Sequence, residues 1–108
     1  MIVVVEYQRE DGSHPFSKWF ASLNVPAALK VRTAIARMEA GNFSNVKAVG
    51  QGVREYRLQF GPGYRIYFGK DGDTLVILLG GGTKKRQSRD IDAAKDHWKA
   101  YKTRKRKG

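Results

Sequence analysis

Arg57, Arg65, Lys84, Lys85, Arg86 and Arg89 are the side chains best placed for chemistry, and the last four crowd into GGGTKKRQSRDI at positions 80–91. Like charges that close repel, so the cluster is either plainly solvated or made for an anion. Guanidinium forks grip phosphate oxygens in pairs, and ammonium groups hold them as point charges. In VREYRLQF, Arg57 and Gln59 share the polar parity of one predicted strand, while Arg65 and Tyr67 share a parity in the YRIYF that follows the GPG at 61–63. A hairpin through that turn can place Arg57 and Arg65 on one face, with the Tyr67 ring available to stack a base. The amides of Gly80, Gly81 and Gly82, together with the N-terminus of the helix that follows, could help the cations seat a phosphate. The competing reading is a solvated sheet face and a soluble loop.

Most other chemistries lack their residues. There is no cysteine, and the only histidines, His14 and His97, lie far apart. Thiolate catalysis, disulfides and cysteine-containing metal sites are therefore excluded, and no zinc, other metal or cofactor is expected. The glycine run does not match GxGxxG, and the lysines after it do not complete a P-loop. His14 reads as a helix-start residue and His97 as a partly packed one. Across 108 residues, 21 Lys and Arg against 10 Asp and Glu leave a net charge of +11. The excess is uneven: residues 1–53 hold 6 cations and 4 anions, residues 54–108 hold 15 and 6. That sign favours a polyanionic partner. No stretch approaches the roughly 20 apolar residues of a membrane span, and the N-terminus lacks a secretory apolar core. A cytoplasmic protein is expected.

The elements that must carry these side chains follow from periodicity. IVVVEY at 2–7 is β-branched and reads as a strand. Phe16, Trp19, Phe20 and Leu23 recur at helical spacing after Pro15, and Ala28, Val31, Ile35 and Met38 form the stripe of a second helix stopped by Gly41. From 53 the period becomes two, predicting three strands at 53–60, 64–68 and 74–79 in an antiparallel meander. A last helix is predicted from Ser88, with Ile91, Ala94, Trp98 and Tyr101 on its apolar side. The domain is read as 1–101, and KTRKRKG at 102–108 as a basic, flexible tail. One sheet with helices packed on it, an α+β fold, is the economical arrangement.

VREYRLQFGPGYRIYF, DGDTLVILLGGGTKKRQSRDI and the final amphipathic helix resemble the RelE/ParE toxin superfamily, in particular its phage-related, HigB-like addiction module killer branch. SHPFSKWFASL and MEAGNFSNVKAVGQGVREYR extend the likeness over nearly the whole chain. The resemblance implies a β-α-α-β-β-β-α fold with a curved, mainly antiparallel sheet. It also implies a type II toxin that cuts messenger RNA on the ribosome without a metal and is neutralised by a cognate antitoxin of helix-turn-helix type. Arg65 matches the arginine of the family's GYR block, implying a role in phosphate stabilisation. Arg86, or else Lys84 or Lys85, matches the basic residue after the last strand. Arg57 falls where RelE-type members place a basic strand residue, whereas Gln59 stands in place of their lysine. The tyrosine they carry near the C-terminus has no counterpart, since Tyr101 lies too far along, so the general base is unassigned. These departures keep open a non-nuclease, ParE-like inhibitor of DNA gyrase.

Overall fold

Alternation along the meander sorts its side chains onto two apolar faces, and both need cover. Tyr56, Leu58, Tyr64, Ile66, Phe68, Val76 and Leu78 point one way and are buried against Phe16, Val31 and Met38. Val53, Tyr67, Ile77 and Leu79 point the other way, against Ala94 and Trp98. The computed structural model describes residues 1–107, with strands β1 (Val3–Glu6), β2 (Val46–Gly50), β3 (Val53–Leu58), β4 (Tyr64–Asp71) and β5 (Leu75–Thr83). Helices α1 (Pro15–Ala21) and α2 (Val25–Glu39) cover the first face; a 3-10 turn at Lys84–Arg86 leads into α3 (Gln87–Lys107), which covers the second. The sheet order is β1-β5-β4-β3-β2, parallel between β1 and β5 and antiparallel elsewhere. The architecture is α+β, a five-stranded mixed sheet with three helices. Among the described residues no helix is long and apolar enough to cross a membrane.

Local chemistry accounts for the helix ends. The Asn24 side chain caps α2 by accepting from the Ala27 amide at 2.9 Å, with Pro26 in the first turn. Gly41, at φ +84°, takes the left-handed conformation just past the α2 C-terminus. The buried stripe of α2 is Ala27, Val31, Ala34 and Met38, rotated slightly from the expected one, so Ala28 and Ile35 are only half-buried.

Three expectations need correction. The segment VKAVG forms β2, a strand the periodicity missed because an edge strand with two small residues and a register shift at Ala48–Gly50 shows little alternation. The glycines at 80–82 belong to β5 rather than to a phosphate-seating loop. Gly81 leaves room for the Trp19 ring, which a Cβ there would strike. The third concerns residues 102–107, expected as a flexible tail, which are the last turns of α3. Arg104 Nη1 donates to the Gln8 carbonyl at 2.8 Å, and Lys105 Nζ meets the Asp71 carboxylate at 2.6 and 2.7 Å, tying that end to the body. Gly108, the remainder of the expected tail, lies outside the described residues.

Candidate functional site

The register of β3 on β4 pairs Arg57 with Arg65 and Glu55 with Tyr67. Directly opposed residues of neighbouring strands project to the same side. All four therefore lie on the sheet face that α3 covers. On β5 the partners of Arg65 and Tyr67 are Gly82 and Gly80, which add no side chains to the face. The missing Cβ at Gly82 is filled from above by the Asp90 carboxylate of α3. A row of polar groups thus runs beneath the first turn of α3 and emerges beyond it.

Glu55 is the hub of that row, and sequence reading passed over it. It is 0% exposed. Its Oε2 accepts from Gln87 Nε2 at 2.7 Å, while Oε1 lies 3.7 Å from Arg65 Nε and 3.9 Å from Arg57 Nε. Arg65 is held from its other side as well: Nη1 donates to the Gly63 carbonyl at 2.6 Å. The same carbonyl accepts from the Lys84 amide at 2.9 Å, so the GPG turn ties Arg65 to the start of the cationic 3-10 turn. Glu55 Oε1, Arg65 Nε and the Tyr67 hydroxyl are buried without a hydrogen-bond partner. Three such atoms in one cluster form an under-satisfied polar pocket, an arrangement that ordinary packing avoids. Burial and then the Glu55 charge raise the Tyr67 pKa, keeping the phenol neutral. Asp90 is also raised, because burial outweighs the opposing pull of Arg86 and Arg89.

The expected residues divide by accessibility. Arg57 is open, with 53% of its side chain exposed, and Gln59 is exposed beside it. Lys84, Lys85, Arg86 and Arg89 are exposed around the junction of β5 and α3. Arg65, expected as an open phosphate ligand, has only 5% of its side chain exposed, because Glu55 and the Gly63 carbonyl draw it into the sheet face. Tyr67 is 0% exposed under α3, so its ring cannot stack a base as expected. His14 precedes α1 as its N-cap residue, and His97 stacks on Tyr7 with ring centroids 5.1 Å apart. Neither reaches the polar row through any hydrogen bond or ion pair among the described residues.

Two hollows meet at Arg57. One, of about 300 Å³, lies between α2 and the end of β3 and is lined by Lys30, Arg37, Asn45, Arg57 and Gln59 among others. The second, of about 240 Å³, is formed by Ser44, Asn45, Val46, Lys47, Arg57 and Gln59. Neither has a carboxylate in its lining. Lys30, Arg37 and Lys47 were not singled out in the sequence, because Lys30 and Arg37 belong to a helix distant from Arg57 along the chain and Lys47 to the strand that periodicity missed. The site as built is a cationic, hydrogen-bonding recess suited to phosphate oxygens, with an acid-arginine pair fixed beneath it.

No protein-family model matches the chain. An uncharacterized protein of Haemophilus influenzae is 42% identical to it over 81 residues, spanning 74% of this chain and 82% of that protein.

Proposed function

The chain belongs to one family with that Haemophilus influenzae protein, and for it we propose a toxin of a type II toxin-antitoxin system that cleaves messenger RNA, with the RelE-like fold and HigB-like kinship its motifs resemble. The observation that carries this reading is Arg57, exposed between two acid-free cationic hollows and backed by the buried Arg65–Glu55 pair. In the proposed reaction the RNA 2′-hydroxyl loses its proton and attacks the adjacent phosphorus. The bond to the 5′-oxygen breaks, that oxygen takes up a proton, and a 2′,3′-cyclic phosphate remains. Arg57 neutralises the charge that grows on the non-bridging oxygens, and Lys84, Lys85 and Arg86 hold the flanking backbone. Glu55 is buried, so it acts as a positioning residue: it fixes Arg65, the cross-strand partner of Arg57, beneath the recess. The exposed recess is also the surface a cognate antitoxin would cover.

The test is primer extension on a translated message, with and without ribosomes. New 5′ ends within the coding region that vanish with Arg57→Ala, in a protein that stays folded, are expected. A message left intact by the active, growth-arresting protein refutes cleavage. The burial of Arg65 and Tyr67 favours one other reading, a ParE-like protein that inhibits DNA gyrase by binding. Growth arrest with DNA-damage signalling and no new 5′ ends would establish that instead.

A further inference from the structure

On α3, Lys95, Lys99, Lys102 and Arg106 recur at spacings of four, three and four, which sets them along one flank of the helix. Beyond Asp96 the helix holds no carboxylate. The flank begins against β2, where the Lys95 ammonium lies 3.2 Å from the place a Cβ on Gly50 would take, and Lys99 further along shares a hollow with Glu10 and Asp96. Lys102 Nζ sits 5.7 Å from the Trp98 ring centroid. Lys47, exposed on β2, is the Cα partner of Glu55 and so lies on the sheet face that α3 covers. It also lines the smaller hollow at Arg57. A basic track therefore leads from that hollow along β2 and up the flank of α3.

The neighbouring cations of the same helix serve the fold. Lys105 pairs with Asp71, and Arg104 binds the Gln8 carbonyl. The four flank residues have no ion-pair partner among the described residues. Like charges at these spacings destabilise a helix, and a soluble surface needs only mixed charge. An external row of anions removes the cost. The row rises about 16 Å along the axis, long enough for several consecutive phosphates. It carries no large apolar side chain, which an amphipathic helix needs to enter a bilayer.

We propose that this flank of α3, continued by Lys47, is a second RNA site that grips backbone phosphates without reading bases. It adjoins the recess at Arg57, with which it shares Lys47, and stands whether or not Arg57 cleaves. The probe is an RNA hairpin carrying 2′-O-methyl groups, which lacks the attacking hydroxyl. Binding is measured from 50 to 200 mM KCl with the full chain, its Lys99→Gln/Lys102→Gln/Arg106→Gln variant, and Arg9→Gln/Lys18→Gln/Arg32→Gln as a control of equal charge. Three phosphate contacts at slopes of about 0.7 to 0.9 each mean that the fall in affinity over this salt range shrinks by roughly 20- to 40-fold in the flank variant. The control is expected to change it less than about 3-fold, and Lys99→Arg/Lys102→Arg/Arg106→Lys to restore the original salt dependence. Equal losses in both triple variants overturn the site in favour of net charge alone. Unchanged binding by the flank variant overturns it outright. Anionic phosphatidylserine vesicles bound through the same residues as tightly as the hairpin would reassign the flank to a membrane surface.

Discussion

Replacing Glu55 by glutamine keeps its shape and its acceptor for Gln87 but leaves Arg65 as an unpaired charge in the sheet. At 3.7 Å and an effective dielectric of about 20, the lost attraction is about 4 to 5 kcal/mol. Removing one partner of a buried pair costs about 3 to 5 kcal/mol on measured precedent, so the two routes agree. The contact to Arg57 at 3.9 Å adds little, because that side chain is half exposed and surface pairs contribute at most about 1 kcal/mol. Glu55→Gln is therefore expected to lose about 3 to 5 kcal/mol in urea unfolding with an unchanged m-value, and to lower Tm by roughly 12 °C or more. Arg57→Ala is expected to lose less than about 1 kcal/mol. The double variant Glu55→Gln/Arg65→Met removes both charges and should return to within about 2 kcal/mol of the unaltered protein. A loss below about 1 kcal/mol for Glu55→Gln, or additive losses in the double variant, refutes the idea that this pair holds Arg65 in place.

Gly81→Ala places a methyl group into the Trp19 ring and is expected to cost about 1 to 3 kcal/mol, most of it regained with Trp19→Leu; equal losses with and without Trp19 would argue against the contact. His97 has its pKa lowered from 6.5, first by burial and then by Arg9, with Asp96 pulling the other way. A depressed folded-state value means that its contribution is complete above pH 6.5 and is lost as pH falls through the folded value. The urea midpoint should decline as pH falls below about 6.5, and His97→Phe should flatten that limb; an unchanged limb assigns it to other groups.

Much of the site's frame was legible in local pattern. The shared face of Arg57 and Arg65 followed from period-two alternation and a short GPG turn, because a strand sends alternate side chains to opposite sides and a tight hairpin sets the register. The amphipathic α3 was visible for the same kind of reason, through Ala94 and Trp98 on one stripe. Local pattern could also say that Glu55 was polar, but not that it was covered. Its burial depends on Gln87, 32 residues away, landing on it from α3. Likewise the glycines at 80–82 read as a phosphate-seating or soluble loop, whereas Trp19 and Asp90 press against Gly81 and Gly82 from opposite faces of β5. Strand β2 was missed because an edge strand leaves weak alternation, and the last turns of α3 because their support comes from Asp71 and Gln8, 34 and 96 residues away. Periodicity and turn chemistry act over a few residues and so are written in the order of the chain. Burial, and with it the choice of which arginine is open and which is locked, arises only when distant segments close over one another and exclude water.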